Sequence, residues 1–400
     1  MHDGVTSAKE RARSRAAERD LDRLGVTMVP DGWKLSTVGN ACTIRNDLRM
    51  PLSVETRSAM QGEYPYYGPT GVLDYLDEFR AEGEFALIGE DGDHFLDTAK
   101  KNQTVRVSGR FNVNNHAHLI ASGKSCAVDW FFHFFRHRDI SHSLTRQGAG
   151  RYKLTKQALE KLPILLPPLP EQRKIAEILR TWDEALEKLT ALRAAKARRL
   201  AGVGRALLAR AADDPATVTK PLATLTRIVK GQQLNKLDIS DGDYPVWNGG
   251  ITPSGFHNEW NTEGGTITIS EGGNSCGFVN LAHRPFWLGG HCYALQDLSQ
   301  VVERDFLFHK LKSREAEIMR LRVGSGLPNI QRADLERLPV VVPPRDLQEK
   351  IASALTAGNA ELALLDAEIE ALTRQKRGLM QKLLTGEWRV NTTETTEVAQ

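Results

Sequence analysis

The sequence is poor in cysteine and lacks any long apolar run. Its four cysteines, Cys42, Cys126, Cys276 and Cys292, are scattered through 400 residues and form no C-x-x-C pair. Scattered cysteines are typical of reduced thiols in a cytosolic protein rather than of a disulfide scaffold. No apolar run approaches the roughly 18 residues of a membrane span, and the charged first 25 residues are unlike a signal peptide. We therefore expect a cytoplasmic protein with no membrane partner.

Motifs that bind nucleotides or cofactors are also missing. The chain has no GxxxxGK[ST] loop, which ATP hydrolysis would need. Gly202-x-Gly204 lies inside a predicted helix instead of opening a βαβ unit for an adenosyl cofactor. The proline pairs follow Leu166 and Val342, so neither belongs to the Asn-Pro-Pro-aromatic tetrapeptide in which amino-methyltransferases resemble one another. We predict no catalytic residue and no cofactor in this chain.

Charge alone says little about the partner. The formal net charge is +3 and the pI is about 8.6. This mildly basic balance permits a nucleic-acid partner without requiring one, because any basic surface must be local. Hydrophobic residues at 40% and charged residues at 26% are near globular averages, so large cores can be buried. The length predicts about two to three domains.

The chain is an internal duplication. Two segments align at an offset of 176: residues 148–176 read GAGRYKLTKQALEKLPILLPPLPEQRKIA, and residues 324–352 read GSGLPNIQRADLERLPVVVPPRDLQEKIA. They share G-x-G, L-E, L-P, P-P, Q and K-I-A in register. The same offset pairs His133 with His309. Agreement across so many positions in one order indicates two copies of one structural unit.

The offset drifts upstream, as loop insertions would make it. Residues 64–68, YPYYG, face residues 244–249, YPVWNG, and residues 87–92 face residues 267–273. Each unit begins with a part rich in glycine, proline and aromatic residues, with short β-like runs such as 104–107 and 266–270. An apolar strand ending in a proline pair follows, at 162–168 and 338–344, and then a long stretch with helical periodicity.

Each long stretch carries a heptad seam. The prolines at 167, 168 and 170 leave a helix start near Glu171. Apolar residues then recur at alternating steps of four and three, in the same register in both repeats. The seam residues are Ile175, Leu179, Trp182, Leu186, Leu189 and Leu200 in the first helix and Ile351, Leu355, Leu362, Leu365, Ile369, Leu372, Leu379 and Leu383 in the second. About 40 residues make a rod of about 60 Å, which one narrow apolar stripe does not stabilise alone.

We expect the two helices to pack on each other as an antiparallel coiled coil that holds two globular domains apart. The alternative is that each helix lies on its own domain. Arg193, Lys196 and Lys376 interrupt the seam, which weakens packing but can fix the register. Arg193, Lys196, Arg198 and Arg199 form a basic cluster, which is either a solvated face or a phosphate contact.

Two histidine-containing stretches leave metal binding as an alternative. His133, His137 and His142 could place two imidazoles on one helical turn, but only His133 has a counterpart in the second repeat. A second stretch offers ligands at loose spacing: Cys276, His283, His291 and Cys292. We expect packing or polar-surface roles for these residues and predict no metal.

The repeated loops supply candidate DNA contacts. Loops that combine aromatics, amides and glycines can approach a groove closely and present donors to base edges, and basic residues beside the repeated G-x-G can hold phosphates. The candidates are Tyr66, Tyr67, Gly68, Arg151, Lys153 and Lys156 in the first unit and Trp247, Asn248, Gly249, Asn329 and Arg332 in the second. The alternative is that they are ordinary turn residues, core aromatics and solvated basic residues.

These features resemble the specificity subunits of type I restriction–modification systems. The resemblance rests on two copies of L-P-(apolar)₃-P-P followed by Gln and I-A. Residues 377–387, RGLMQKLLTGE, are similar to the family's C-terminal helix. The resemblance covers residues 33–390, nearly the whole chain. In one departure, the second copy has residues 346–347, DL, where the first has residues 170–171, PE.

The resemblance implies an α+β fold in which two duplicated mixed α/β target-recognition domains are separated by two long helices that form an antiparallel coiled coil. Each domain would read one half of a bipartite asymmetric target in double-stranded DNA. The helices would dock two modification subunits, which bind S-adenosylmethionine and methylate adenine. Restriction subunits, which combine a motor and a nuclease, would add ATP- and Mg²⁺-dependent translocation and cleavage. The implied function is non-catalytic DNA recognition.

The sequence predicts six regions. They are a charged extension at 1–25 with a helix from 8 to 24, recognition domain 1 at 26–168, spacer helix 1 at 169–212, recognition domain 2 at 213–344, spacer helix 2 at 345–389 and a polar tail at 390–400. Three other functions compete with the restriction–modification subunit: a subunit of a methylation-only complex, a coiled-coil scaffold without DNA, and a self-sufficient methyltransferase or nuclease. The missing cofactor motifs disfavour the last.

Overall fold

The computed structural model of the chain describes residues 16–98, 100–146, 152–234, 242–324 and 328–392. Contacts divide the chain into two units. Unit 1 comprises Met1–Lys188 and Ile369–Gln400, and unit 2 comprises Leu189–Glu368. Each of the two long helices contributes one part to either unit.

Unit 1 is built on a mixed sheet. The strands of unit 1 are β1 (Lys34–Thr37), β2 (Thr43–Ile44), β3 (Gln61–Tyr67), β4 (Val72–Leu76), β5 (Ala81–Gly89), β6 (Thr104–Val113), β7 (Ala117–Ala121), β8 (Thr145–Arg146), β9 (Tyr152–Lys153) and β10 (Pro163–Leu166). The sheet order is β2-β7-β5-β6-β3-β4, with β3 and β6 parallel and the other neighbours antiparallel. The pairs β1–β10 and β8–β9 are also antiparallel.

Unit 2 repeats the main strand pairings of unit 1, but they are divided between two sheets. The strands of unit 2 are β11 (Val218–Pro221), β12 (Arg227–Lys230), β13 (Tyr244–Trp247), β14 (Phe256–His257), β15 (Thr266–Ser270), β16 (Val279–Ala282), β17 (Trp287–Leu288), β18 (Cys292–Gln296) and β19 (Pro339–Val342). One sheet has the order β12-β18-β15-β16 and another the order β14-β13-β17. The parallel pair places Trp247 opposite Leu288, as its counterpart in unit 1 places Tyr67 opposite Val113. The predicted duplication is confirmed.

Helices cover both units. They are α1 (Val38–Ala41), α2 (Val54–Ala59), α3 (Val128–Phe135), α4 (Lys156–Lys161), α5 (Leu169–Ala212), α6 (Arg304–Ser313), α7 (Glu315–Arg320), α8 (Arg332–Arg337) and α9 (Arg345–Leu384). Residues 16–23 are helical, and the preceding part of the predicted N-terminal helix lies outside the described residues. Among the described residues, no helix combines the length and apolarity that a bilayer crossing needs.

An antiparallel strand pair closes the mixed part of each unit. β1 pairs with β10 in unit 1, and β11 pairs with β19 in unit 2. The proline pairs that follow β10 and β19 lack backbone N–H groups, so the ladder stops there and a long helix begins. Both strands are therefore shorter than predicted: residues 163–166 and 339–342 instead of 162–168 and 338–344.

The glutamine shared by the two repeats fastens each long helix to its unit. Gln172 is fully buried: its Oε1 accepts from the backbone N–H of Ala127 (2.9 Å), and its Nε2 donates to the carbonyls of Ser125 (2.7 Å) and Pro167 (2.8 Å). Gln348 makes the same three bonds in unit 2, to the N–H of Glu303 and to the carbonyls of Val301 and Pro343 (2.7 to 2.9 Å). A buried amide needs all its partners, which explains why both copies carry Gln here.

The core of unit 1 forms around α3, whose sequence is VDWFFHFF. Trp130 is fully buried, donates its indole N–H to the carbonyl of Leu165 (2.9 Å), and meets the ring of Trp33 edge to face at 5.5 Å. Ile175 of α5 and Leu383 of α9 belong to the same apolar cluster. The recognition part of unit 1 and its portions of the long helices therefore share one core.

The long helices pair antiparallel inside each unit, as predicted. In unit 1, Asp183 of α5 meets Lys376 of α9. In unit 2, Arg193 meets Asp366 (2.8 Å) and Lys196 meets Glu361 (2.5 Å). Residue numbers rise along one helix as they fall along the other. The charged residues that interrupt the predicted seam are thus paired across it, while Arg198 and Arg199 of the predicted basic cluster are exposed.

The seam residues face inward. Ile175, Leu179, Ile351, Leu355 and Leu383 are buried. The remaining seam residues are half-buried: Trp182, Leu186, Leu189, Leu200, Leu362, Leu365, Ile369, Leu372 and Leu379. This pattern is that of a narrow apolar stripe that packs on a partner helix.

The second long helix ends at Leu384, five residues before the predicted 389. Gly386 adopts φ 75, a left-handed conformation that terminates a helix. The N–H of Gly386 donates to the carbonyl of Leu383 (3.3 Å), and the N–H of Trp388 donates to that of Lys382 (3.0 Å). These bonds satisfy carbonyls that the helix end leaves open.

Candidate nucleic-acid interface

Four segments of each unit converge on what we call a loop cluster. Loop cluster 1 consists of residues 67–71, 90–92, 114–116 and 152–154, and loop cluster 2 of residues 247–250, 271–273, 289–291 and 328–330. In unit 1 the segments are joined by the bonds Asn114 N to Tyr67 O (3.0 Å), Glu90 N to His116 O (2.7 Å), Leu154 N to Glu90 O (2.8 Å) and Gly92 N to Tyr152 O (3.2 Å). In unit 2 they are joined by Gly289 N to Trp247 O (2.8 Å), Glu271 N to His291 O (2.9 Å), Ile330 N to Glu271 O (2.8 Å) and Gly273 N to Pro328 O (3.0 Å). The two clusters share one backbone frame.

The loop after the central strand requires glycine in both clusters. Gly92 has φ 138 and Gly273 has φ 77, a region that residues with a side chain rarely adopt. A Cβ at Gly92 would also approach the ring of His94 to 2.7 Å. The glycine therefore leaves the backbone uncovered by a side chain next to Glu90 in unit 1 and next to Glu271 in unit 2.

Glu90 is the centre of a polar network in unit 1. Its side chain is only 13% exposed and lies 2.8 Å from Arg49 and 3.1 Å from the ammonium group of Lys153. A buried carboxylate without such partners would be strongly unfavourable. Glu90 therefore depends on two cations from distant parts of the chain.

His118 completes this network as a neutral ring. Burial lowers the pKa of His118, and Nε2 lies 2.8 Å from the carbonyl oxygen of Leu154. Nδ1 lies 2.9 Å from the side-chain amide of Asn46 and 2.6 Å from the guanidinium of Arg49. These partners assign the proton to Nε2, which donates to Leu154, while Nδ1 accepts.

Glu271 occupies the equivalent position in unit 2. It is 8% exposed and lies 2.6 Å from the ammonium group of Lys230. The Tyr293 hydroxyl lies 3.1 Å from Glu271 and 3.2 Å from the carbonyl oxygen of Ile330, two acceptors for its single proton. Burial and the charge of Glu271 raise the pKa of Tyr293, so the hydroxyl keeps its proton. Tyr293 thus replaces His118, and Lys230 replaces Arg49.

Tyr66, one of the predicted DNA contacts, is a core residue. It is 1% exposed, its hydroxyl donates to the carbonyl of Met50 (2.8 Å), and it accepts from the N–H of Leu52 (3.2 Å). Neighbouring residues of a strand point to opposite faces, which is why Tyr66 is buried while Tyr67 is not. Burial removes Tyr66 from the DNA-contact candidates.

Tyr67 and Trp247 lie at equivalent positions and are half-buried. The ring of Tyr67 packs edge to face on Phe111 at 5.9 Å. Trp247 packs against the apolar cluster that contains Phe286. Each aromatic residue therefore has one face anchored in its unit and part of its surface available at the loop cluster.

The small and amide residues beside them shape the loops. The N–H of Gly68 donates to the carbonyl of Gly71 (2.8 Å), which closes a tight turn. The Oδ1 of Asn248 accepts from the N–H of His291 (3.1 Å). Gly249 has φ 86, and a Cβ there would lie 2.7 Å from the carbonyl oxygen of His291. These contacts give the predicted residues Gly68, Asn248 and Gly249 structural roles within the clusters.

Lys153 and Asn329 are also equivalent and lie inside the clusters. Each forms an isolated β-bridge to the loop after the central strand, Lys153 with Asp91 and Asn329 with Gly272. Lys153 is held by Glu90, whereas Asn329 accepts at Oδ1 from Gln331 (2.9 Å). The same position therefore carries a cation in unit 1 and an amide in unit 2.

The remaining predicted contacts lie next to the clusters. Lys156 and Arg332 stand at the starts of α4 and α8, are exposed, and pair with the glutamate one turn along, Glu160 at 3.7 Å and Glu336 at 2.7 Å. Both are surface ion pairs, which contribute little to stability. Arg151 lies outside the described residues.

The predicted contacts omit two pairs of equivalent residues in the clusters: Glu90 with Glu271, and His116 with His291. Glu90 faces Glu271 in the repeat, and His116 precedes His291 by 175 positions, one fewer than the main offset. Identity at equivalent positions was the available signal. The two glutamates are largely buried and the two histidines are exposed, a difference that depends on tertiary contacts and is not visible in the sequence.

The histidines and cysteines considered for a metal have other surroundings. Among the described residues, no group of three or more His, Cys, Asp or Glu side chains could hold a metal ion. Burial lowers the pKa of His133 to about 3, so this residue packs as a neutral ring. Cys292 is buried, and burial raises its pKa to about 12.

Similar proteins agree with this architecture. A family model described as the type I restriction modification DNA specificity domain matches residues 30–196 and 218–374. A putative type I restriction enzyme specificity subunit of Haemophilus influenzae is 35% identical over 159 residues, which cover 40% of this chain and 38% of that protein. A putative type I specificity subunit of Mycoplasma pneumoniae is 36% identical over 169 residues, covering 42% of this chain and 45% of that protein. The matched regions thus span less than half the length of these relatives.

The fold is also found in a crystal structure. The S subunit of a type I restriction-modification system from M. genitalium superposes with a TM-score of 0.68 at 18% identity, covering 88% of this chain and 96% of that one. At this identity the match shows the fold. The two family-model matches together cover most of the chain and coincide with the two repeats. The chain therefore belongs to the family defined by the type I restriction modification DNA specificity domain.

Proposed function

We propose that this chain is the DNA sequence-specificity subunit of a type I restriction–modification complex. Each unit binds one half of a bipartite asymmetric target in double-stranded DNA. The observation that carries the proposal is the pair of loop clusters, which share one backbone frame and differ in side chains. Tyr67 stands where Trp247 stands, and Lys153 stands where Asn329 stands.

Different side chains on a common frame suit unlike half-sites. Lysine favours the acceptor edge of guanine, whereas asparagine can pair with both the donor and the acceptor of adenine. Aromatic residues supply apolar contact with bases or sugars, and half-burial restricts their rotamers. Each half-site is therefore read by its own set of residues.

The long helices provide the surface that docks two modification subunits. Leu192 and Leu364, both in unit 2, point away from the seam and are 45% and 72% exposed. Apolar side chains of this kind can form the buried centre of an interface with a partner. Leu364→Glu is expected to lower copurification with the modification subunit, and Ala363→Glu at a neighbouring exposed position is the matched control.

Catalysis and cofactors belong to the partner subunits in this proposal. The modification subunits bind S-adenosylmethionine and methylate adenine, and restriction subunits use ATP and Mg²⁺ for translocation and cleavage. This chain contributes recognition and assembly in the cytoplasm. The loop clusters are in line with this assignment, because each buried carboxylate lies in contact with a cation of its own unit.

Genome-wide adenine-methylation mapping tests the proposal. A cell that expresses this chain with the neighbouring modification gene is compared with a strain that lacks only this chain. The proposal predicts a bipartite methylated motif that disappears with the chain. An unchanged methylome contradicts the proposal and favours a scaffold role. Loss of methylation without any nuclease gene at the locus identifies the methylation-only variant.

A further inference from the structure

We propose that His116 and His291 are a shared DNA contact, which binds the sugar–phosphate backbone in both half-sites. The inference rests on the proposed function and deepens it. It begins with a comparison of the two loop clusters. Their aromatic, cationic and amide residues differ, but the histidine at the turn before β7 or β18 is the same in both.

The two histidines occupy the same place. His116 immediately precedes β7 and His291 immediately precedes β18, the strands that pair with the central strands β5 and β15. The carbonyl of His116 accepts from the N–H of Glu90 (2.7 Å), and that of His291 accepts from the N–H of Glu271 (2.9 Å). In both units, the same backbone hydrogen bond thus joins the glutamate that carries the buried carboxylate to the exposed histidine.

Each histidine backbone is also held from its other side. The N–H of His116 donates to Oδ1 of Asn114 (2.9 Å), and the N–H of His291 donates to Oδ1 of Asn248 (3.1 Å). The two asparagines lie in different segments, yet both fix the histidine N–H. The histidine is therefore held by the same kind of hydrogen bond in both units, although the loops that supply the asparagine differ.

The imidazole rings are accessible. The His116 side chain is 47% exposed, and Nδ1 lies 2.7 Å from Oδ2 of Asp91, which orients the ring. His291 is exposed, and Gly272 lies beside it at the position that Asp91 occupies in unit 1. Exposed side chains in rigidly held turns suit contact with a large ligand.

Which residues are the same in the two loop clusters, and which differ, indicates the part of the DNA that each contacts. Two unlike half-sites differ in base sequence and share the sugar–phosphate backbone. Phosphate contacts position a protein on DNA, while base contacts specify the sequence. An imidazolium ring donates from both nitrogens, so Nε2 of His116 can donate to a phosphate oxygen while Nδ1 donates to Asp91. The shared histidines therefore serve the shared backbone, and the residues that differ between clusters serve the bases.

The test measures binding and sequence preference separately. His116→Ala and His291→Ala are made in the full chain and assembled with the modification subunits. His142→Ala and His283→Ala, at exposed histidines outside the clusters, are the controls. Binding is measured on the duplex that carries the mapped motif and on a scrambled duplex of the same length, and methylation motifs are mapped in cells. Thermal unfolding verifies that each variant is folded.

Each cluster variant is expected to weaken binding to both duplexes by the same factor, about tenfold for the loss of a charge-assisted hydrogen bond. The methylated motif is expected to stay unchanged. Binding equal to that of the controls overturns the inference and leaves the proposed function standing. A motif altered at one base pair also overturns it, because the histidine then reads a base. If the wild-type assembly shows no sequence preference while both variants still bind duplex DNA more weakly, the proposed function fails and the backbone contact remains.

Discussion

The ammonium group of Lys376 contacts the carboxylate of Asp183 inside the packed part of unit 1. Lys376 is one of the residues that interrupt the apolar seam, and its side chain is 7% exposed. Arg136, at the end of α3, bonds the same carboxylate at 2.6 and 2.8 Å. One carboxylate thus connects both long helices with the recognition part of unit 1.

The equivalent positions in unit 2 are uncharged. They are Leu200 and Asn359, and Leu200 packs on Gly358. A buried charged pair in an apolar seam favours one register, because any shift would leave a buried charge unpaired. The pair therefore distinguishes the helix contact of unit 1 from that of unit 2.

Removing Asp183 is expected to destabilise unit 1 more than removing Lys376. Asp183→Ala leaves both Lys376 and Arg136 without their acceptor, whereas Lys376→Met leaves Asp183 bonded to Arg136. We expect Asp183→Ala to lower the free energy of unfolding by about 2 to 3 kcal/mol, reduced from a fully buried pair because 28% of the Asp183 side chain is exposed. Urea unfolding measures both variants. Equal losses would contradict the shared-carboxylate arrangement, and the exposed pair variant Arg193→Ala is expected to cause no measurable change.

The same carboxylate makes stability depend on pH in acid. Burial raises the pKa of Asp183, but Arg136 and Lys376 outweigh it, so the folded-state pKa lies below the usual value. A depressed pKa contributes stability above the unfolded value of about 3.9, and this contribution is lost as pH falls through the folded value. Urea unfolding of the wild type and Asp183→Asn should differ most above about pH 5, and the difference should shrink as the pH falls below about 4. A gap that widens in acid would contradict this sign.

The two shared glutamines are expected to be equally important for stability. Gln172→Leu leaves one N–H and two carbonyls without partners, and Gln348→Leu does the same in unit 2. Unsatisfied buried groups cost about 1 to 3 kcal/mol, so each variant should lose about 3 kcal/mol. Thermal unfolding measures the loss, with the exposed Gln157→Leu as control. A loss confined to one glutamine would show that the two joints are not equivalent.

Tyr67 and Trp247 are expected to act on separate half-sites. Tyr67→Ala should weaken binding about tenfold through the half-site of unit 1 only, and Trp247→Ala through that of unit 2 only, in line with the energy of a base-contacting side chain. Binding to duplexes with one half-site scrambled assigns each effect. Tyr66→Phe, which removes only a buried hydroxyl, is the control and should lower stability without changing the motif. Equal loss at both half-sites would refute the division of labour.

Periodicity and repetition were sufficient to predict the helices and the duplication. The first long helix spans Leu169–Ala212, and its seam residues pack inward, because a heptad pattern fixes which face of a helix is apolar. Which charged residues pair across the seam could not be predicted from the sequence. Knowing that Lys196 meets Glu361 requires the register of two helices whose contacting residues are 165 positions apart.

The loop residues were predicted less well because their roles depend on neighbours from distant segments. Tyr66 and Tyr67 are adjacent and alike in sequence, yet strand alternation buries the first. Glu90 draws its cations from positions 49 and 153, on either side of it in the chain. The backbone N–H groups of the two histidines donate to Oδ1 of Asn114 and Asn248, and these bonds involve turns that no local pattern specifies.

Exchange of a recognition part tests the central claim most directly. Residues 218–342 are replaced by a second copy of residues 34–166, because β1–β10 and β11–β19 close the two parts with equivalent strand pairs. The long helices and docking surface remain unchanged, and copurification with the modification subunit verifies assembly. Adenine-methylation mapping should then show a new bipartite motif in which the half assigned to unit 2 is replaced by the half that unit 1 reads. Methylation of the original motif by the assembled exchange variant would contradict the account.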